Sequence, residues 1–463
     1  MVDDLGWSDV DWRDTTLSTP FVRSLYRSRH TAVLHQAYVS QYCSPTRSAF
    51  MTGYYPFHTG IQKGAIRYLE PSGVPFHFEF LPAQLRKLGY ATYLIGKWHL
   101  GYCNKSMTPT SRGFDYFYGY YNPDEDYYTH ELAIFNETGL DFWKQDKPLF
   151  DKRGHYSADL FLEQSIEKIK KHGADGDMSE KPFFLFLSLQ SVHGVNVSSV
   201  QRPPRKYSKN SNCAHKNAAK KTYCEMLYAM DVVVQEVVET LRTTGQLDDT
   251  IIFFTTDNGA NLEATGRSWP LRGGKGSLWE GGTRALSFVY SQRHIAQRAV
   301  RRQLFHVVDY FATILSAVGQ ETPKYGDGIN QWPMIVSDSH DNSRTEFVYN
   351  INDEGSAIRV GRYKLYVGNI DNSSLNSWWP LIGVDNAWAP APIAGEMANV
   401  MLMDVENDPT ETTNLAQKST EVVKALMERI KELKKSEVPS NSRPRSAKGL
   451  PSNFNHTFAP GWC

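Results

Sequence analysis

Through about residue 340 the chain alternates short apolar runs with amphipathic stretches. Leu81, Leu85 and Leu88 recur at helical spacing, and Gly89 stops the run. Ala91 to Ile95 then reads as a buried strand, and residues 183–189 (FFLFLSL) and 251–254 (IIFF) are two more apolar runs of strand length. Tyr223, Met226, Met230, Val234, Val237 and Leu241 mark a long helix that Gly245 ends. Phe305, Val308, Phe311, Leu315 and Val318 mark another. This alternation predicts an α/β fold, a large mixed, mostly parallel sheet flanked by helices.

Beyond residue 340 the texture changes. Residues 341–395 are polar, with Trp and Pro clusters and one strand candidate over 357–367. Val422, Leu426, Ile430 and Leu433 make a single amphipathic helix, and 438–463 is rich in Pro, Ser and Asn. The chain therefore divides into a catalytic-sized unit, 1–340, and a small C-terminal α+β subdomain, 341–463, with antiparallel strands and one helix. No internal repeat is present.

Composition narrows the class. In 463 residues, 50 Lys and Arg balance 50 Asp and Glu, which excludes a general nucleic-acid binder. No apolar run approaches the ~18 residues of a membrane span. The basic stretch 201–221 reads as a solvated loop or as an electropositive lip for a polyanionic substrate. Five cysteines are too few for a disulfide scaffold and odd in number. Asn104, Asn136, Asn196, Asn372 and Asn455 each open an N-glycosylation triplet, which leans toward the secretory pathway. Met1-Val2-Asp3-Asp4 has neither the basic nor the apolar region of a signal peptide.

Ligands of open α/β sheets bind beyond the carboxyl ends of strands, and four polar clusters fall there. They are Asp3-Asp4, the run Gly96 to His99, the run Ser191 to His193, and the run Thr256 to Gly259. Asp3, Asp4, Asp257 and Asn258 offer only oxygen, which suits Ca²⁺ or Mg²⁺ rather than zinc. By itself Asp-Asn-Gly is ordinarily a tight turn. Cys43-Ser44-Pro45-Thr46-Arg47 is sharper: Pro45 fits a helix's first turn, which puts Cys43 at a helix N-terminus, where an anion is favoured. Arg47 adds a cation one turn on. The bland alternative is a buried thiol in an ordinary helix.

Taken together, these motifs resemble the type I sulfatases of the alkaline phosphatase-like superfamily, whose signature Cys-x-Pro-x-Arg marks conversion of the Cys to Cα-formylglycine. The resemblance runs through DDLGW at 3–7, CSPTR at 43–47, GKWHLG at 96–101, QSVH at 190–193 and TDNG at 256–259. WPLRGGKGSLWEGG at 269–282 and YYTH at 127–130 look like the arylsulfatase B branch, the N-acetylgalactosamine-4-sulfatases.

The resemblance implies a sulfuric ester hydrolase acting on sulfated N-acetylgalactosamine of glycosaminoglycans. It implies that Asp3, Asp4, Asp257, Asn258 and modified Cys43 hold one divalent cation, Ca²⁺ foremost, and that a formylglycine hydrate attacks sulfur. Arg47 and Lys97 then hold sulfate oxygens, His193 and Lys275 face the leaving oxygen, and His99 helps deprotonate the second hydroxyl so that the aldehyde returns. The implied partners are a sulfated glycan or aryl sulfate and, during maturation, a formylglycine-generating enzyme. The implied location is the lysosome or extracellular space.

The chain departs from the family in three places. Gly-Val-Asn-Val follows His193, where arylsulfatase B has Glu-Pro. The family carries an apolar strand and a signal peptide ahead of Asp-Asp. With only Met1 and Val2 before Asp3, a truncated first strand and a loosely held carboxylate pair are expected. Cysteine connectivity stays open, with Cys213–Cys224 or Cys103–Cys463 as pairs. Two other functions share the charge pattern: a phosphatase or phosphonate monoester hydrolase of the same superfamily, and a non-catalytic relative that binds sulfated glycans.

Overall fold

The computed structural model describes residues 1–194, 201–321, 326–337, 339, 343–368, 377–378 and 399–463. Of the glycosylation triplets, Asn196 and Asn372 lie outside these residues. Asn136 and Asn455 are exposed and Asn104 is half-buried.

The apolar runs build two sheets side by side. In one, the order is Lys147–Pro148, Trp143–Lys144, Tyr116–Tyr120, Ala91–Lys97, Phe183–Ser188. Ala91–Lys97 runs parallel to both its neighbours, with Leu94 level with Phe117 and Phe186. Every residue of this strand is buried, and alternate side chains serve opposite faces. Leu94 joins a cluster with Phe50, Leu81, Phe114 and Phe186. Tyr93 and Ile95 join another with Phe161, Met226 and Met230. Helices cover both faces, which is why the run lacks polar alternation.

In the second sheet the order is Ala299–His306, Thr31–Tyr38, Phe288–Tyr290, Ile252–Phe254. Thr31–Tyr38 is parallel to Ala299–His306 and antiparallel to Phe288–Tyr290. The architecture is thus α/β with mixed sheets.

Met1 and Val2 occupy the seam between Phe183–Ser188 and Ile252–Phe254. Val2 bridges in parallel to both Leu189 and Thr256. Its N–H donates to Thr255 at 2.9 Å, and its carbonyl accepts from Asp257 at 3.3 Å. Leu189 donates to the Met1 carbonyl at 3.0 Å, and Asp3 returns a bond to Leu189 at 3.2 Å. The following carboxylates are consequently buried and pinned, not loose. Both sides of the slot supply partners to this short stretch.

Two local expectations need correction. Phe305 closes the strand Ala299–His306, and the helix begins only at Asp309, running Asp309–Ala317. The helical spacing continues by chance through the strand's end, while the strand itself is dictated by pairing with Thr31–Tyr38. The single strand foreseen over 357–367 is a hairpin, Gly355–Val360 and Tyr363–Gly368. Gly361 turns it with φ of 53°.

That hairpin lies in an antiparallel sheet, Glu346–Ile351, Gly355–Val360, Tyr363–Gly368, Val400–Asp404, packed by Leu426 and Ile430 of the helix Thr420–Lys434. A buried ion pair docks it: Lys364 Nζ meets Glu280 at 3.1 Å and Glu411 at 3.0 Å. The basic stretch is partly neutralised by acids from elsewhere, Arg202 on Glu225, Lys206 on Asp159 and buried Lys220 on Asp14.

The segment 438–463 runs back along earlier parts of the chain. Val438, Asn441, Ser446 and Phe458 donate backbone bonds to Phe57, Gly60, Leu69 and Leu140. Cys463 closes a disulfide with Cys103, Cys213 pairs with Cys224, and Cys43 stays free and buried. The bridges span 360 and 11 positions of sequence. Loop-closure entropy gives roughly 3 kcal/mol for the short loop and roughly 5–6 kcal/mol for the long one. Cys463→Ser is therefore expected to lower the unfolding free energy in a denaturant titration more than Cys224→Ser does. The reverse order would show that the strap does not restrain the fold.

Candidate active site

Six segments separated in sequence meet at the seam. Val2 delivers Asp3 and Asp4 at the carboxyl end of its slot, with Asp4 at φ of 58°, a conformation Asp tolerates better than most residues. Cys43 opens the helix Cys43–Thr52, all ten residues of which are buried. Lys97 ends its strand, His99 follows at φ of 58°, and Asp257 and Asn258 follow Ile252–Phe254. His193 and Lys275 arrive on loops.

The carboxylates sit among cations. Lys97 Nζ meets Asp3 Oδ2 at 2.6 Å, Lys275 Nζ meets Asp4 Oδ1 at 2.7 Å, and Arg47 Nη2 meets Asp257 Oδ2 at 2.9 Å. Arg47 also donates from Nη1 to the Lys97 carbonyl at 3.1 Å and to Ser188 Oγ at 2.6 Å. The sequence reading places Arg47 against the substrate. Here its guanidinium faces Asp257, a backbone carbonyl and Ser188, so it also braces the site. Lys275 keeps 15% of its side chain exposed, whereas Lys97 keeps none. Lys275 therefore stands nearer the solvent side.

The electrostatics follow. Burial disfavours the Asp257 carboxylate, but Arg47, Lys97 and Lys275 outweigh it and hold the group well below the usual range. Asp3 goes the other way, raised to about 6 by burial and by the charge on Asp257, with Lys97 opposing. Burial pushes the Cys43 thiol up to about 12. An unmodified thiol here is therefore a poor nucleophile at neutral pH, because the thiolate is the reactive form.

The histidines take distinct forms. The Nε2 of His99 is 2.8 Å from the Ile66 carbonyl, so that nitrogen carries the proton. Burial and Lys97 keep the ring neutral. Its Nδ1 is a buried acceptor with no partner among the described residues. In His193, Nδ1 is 2.7 Å from the Gly194 carbonyl and donates to it, leaving Nε2 3.7 Å from Asp4 Oδ2.

A divalent cation fits this donor set. Ligand atoms of Asp3, Asp4, Cys43 and His193 all lie within 4.8 Å of one another. Asn258 Nδ2 is committed to Asp4 Oδ1 at 2.7 Å, and its Oδ1 is buried with no partner among the described residues. An orphaned buried amide oxygen is costly unless a donor or a cation takes it.

Ile66 and Ser188 escaped the sequence reading. Ile66 acts through its carbonyl, which no residue type announces. Ser188 is the last residue of its strand and hides in an apolar run.

Arg47→Met should leave Asp257 buried without its partner, costing ~3–5 kcal/mol. Urea unfolding of Arg47→Met and of the double variant Arg47→Met/Asp257→Asn checks this, with the double variant recovering part of the loss.

The profile of the family described as Sulfatase matches residues 1–320. Arylsulfatase J of Mus musculus is 31% identical, over 99% of this chain and 79% of its own. N-acetylgalactosamine-6-sulfatase of Rattus norvegicus is 27% identical, over 81% of this chain and 71% of its own. Among solved structures, Ps i-CgsB in complex with k-i-k-neocarrahexaose superimposes with a TM-score of 0.78 at 24% identity, covering 96% of this chain and 94% of that one. That likeness carries the alkaline phosphatase-like fold. With the profile spanning the residues that converge on the seam, the chain belongs to the sulfatase family, whose members hydrolyse sulfate esters.

Proposed function

We propose that this sulfatase removes sulfate from sulfated N-acetylgalactosamine in glycosaminoglycans, as an arylsulfatase B-like enzyme, with Cys43 converted to formylglycine. The observation that carries the reading is a buried thiol at a helix N-terminus, Cys43, whose sulfur lies with the carboxylates of Asp3 and Asp4 and a ring nitrogen of His193 within 4.8 Å of one another. The thiol itself is unsuited to attack, and the position is suited to an anion.

Asp3, Asp4, Asp257, Asn258 and residue 43 would hold one divalent cation, Ca²⁺ first and Mg²⁺ second by their hard oxygens. Bound there, it supplies positive charge and Lewis acidity to the sulfate and the nucleophile. Formylglycine, as its hydrate, supplies an oxygen nucleophile with a second hydroxyl on the same carbon. The chain's residues do the rest. Lys97 and Arg47 place positive charge behind the sulfate position. His193, with Nδ1 tied to Gly194, presents Nε2 toward the leaving oxygen, and Lys275 stands beside Asp4 near the mouth. Neutral His99 offers Nδ1 as a proton acceptor.

Two disulfides support an oxidising compartment, the secretory pathway leading to lysosome or extracellular space. A formylglycine-generating enzyme would be the maturation partner there.

Sulfate release should be measured on 4-methylumbelliferyl sulfate and on 4-sulfated and 6-sulfated N-acetylgalactosamine oligosaccharides. The 4-sulfated substrate is expected to turn over fastest. A faster 6-sulfated substrate would overturn the branch, and no release from any of them would overturn the activity. Cys43→Ala should remove turnover with an unchanged circular dichroism spectrum, and mass spectrometry should find an aldehyde at residue 43 in the active protein.

Chelation should abolish turnover and Ca²⁺ restore it. In the metal-free protein Asp3 titrates at about 6, so below that pH the cation must displace a proton. Calcium affinity should fall by about tenfold per pH unit under 6, as calorimetry at pH 5 and 7.5 would read.

A further inference from the structure

We propose that Tyr127 is a positioning residue: its buried hydroxyl fixes the turn that carries His193 and thereby sets where Nε2 meets the leaving oxygen. The proposal rests on the reading of His193 as facing the leaving oxygen, and takes His193 rather than Lys275 as the group that protonates it.

Tyr127 is fully buried. Its hydroxyl lies 2.9 Å from the His193 carbonyl and 3.2 Å from the Gln190 carbonyl, donating across both ends of one turn. The turn is further closed by His193 N–H on the Gln190 carbonyl at 2.8 Å and by Val192 N–H on the Asp3 carbonyl at 2.8 Å. A second strut runs alongside. Gln190 Nε2 donates to the Glu125 carbonyl at 2.6 Å, and Ser157 Oγ donates to Gln190 Oε1 at 2.9 Å. The phenol is itself held, stacked on Tyr156 at 5.4 Å and 17°, while Ser157 N–H donates to the Tyr127 carbonyl at 2.8 Å.

This clamp matters because of how little else orients the imidazole. The Nδ1 of His193 bonds to the carbonyl of its own neighbour Gly194. That bond moves with the turn and gives no fixed external reference. Among the described residues the ring's other polar contact, Nε2 toward Asp4, is 3.7 Å long. The frame of the imidazole is therefore the backbone of 190–193, and Tyr127 grips that backbone at both ends. A proton donor displaced by about half an ångström loses much of its effect. Tyr127 does this without touching the reacting atoms, since its hydroxyl is directed at two carbonyls. The YYTH and QSVH motifs are thus two halves of one device.

The test uses leaving groups. From 4-nitrophenyl sulfate the leaving 4-nitrophenolate departs without needing a proton, whereas the hydroxyl oxygen of a sugar leaving its sulfate needs one. Tyr127→Phe keeps the stacked ring and removes only the hydroxyl. On a sulfated N-acetylgalactosamine oligosaccharide its kcat is expected to fall by about 10- to 100-fold with KM changed by less than about twofold. On 4-nitrophenyl sulfate kcat is expected to change by less than about threefold. His193→Ala should show the same preference, and the double variant should lose no more on the sugar than His193→Ala alone.

Equal losses on both substrates, no loss, or additive losses would overturn the role of Tyr127. If His193→Ala shows no leaving-group preference, the assignment of His193 fails and the proposal fails with it. If His193→Ala shows the preference and Tyr127→Phe does not, Tyr127 alone is refuted. Should Tyr127→Phe not fold, Gln190→Met removes the parallel strut and is judged by the same criteria.

Discussion

Three carboxylates and three cations share one buried volume, and the rest of the molecule is arranged around that confinement. Asp3, Asp4 and Asp257 face Lys97, Lys275 and Arg47. Ions taken out of water lose several kcal/mol each unless their partners are close and well oriented. Each pair here joins segments far apart in sequence, so the charges are compensated only when the whole fold is assembled. Counted together the six cancel. A divalent cation would leave two positive charges, which match the two negative ones that a sulfate ester and an ionised nucleophile bring. The protein is thus electrically poised for an anion.

The same device recurs where the antiparallel sheet containing Tyr363–Gly368 meets Glu280. Lys364 lies between Glu280 and Glu411, with Tyr38 and Tyr349 donating to Glu280. Glu280 opens the short helix Glu280–Thr283, five positions after Lys275 and directly continuous with its loop. The docking of the small sheet and the placement of the Lys275 loop therefore share residues, and a disturbance of one reaches the other through a few bonds.

Much of this was legible before any coordinates. Asp3, Asp4, Lys97, His193 and Asp257 stand out as polar residues after apolar runs and Cys43 as the start of a helix, and the structure brings them together; the apolar runs around 91–97, 183–188 and 252–254 announce the strands. What was illegible works through the backbone or through pairing. The Ile66 carbonyl that sets the His99 tautomer has no signature in residue type. The clamp on residues 190–193 depends on where a tyrosine's hydroxyl ends after folding. The strand Ala299–His306 and the hairpin at Gly361 are decided by neighbours across the sheet, which a linear pattern cannot weigh. The tight hold on Asp3 and Asp4 was hidden for the same reason, since Val2 gains its rigidity from partners nearly 190 and 250 residues away.

The bridge from Cys463 to Cys103 encloses most of the polypeptide in one covalent ring. A single proteolytic cut anywhere inside that ring opens a loop without releasing a piece. Both products stay tethered, and the strap keeps its backbone bonds to Phe57, Gly60, Leu69 and Leu140. In a compartment rich in proteases, such a molecule can be nicked in its exposed connections and continue as one particle until a reductant reaches the bond.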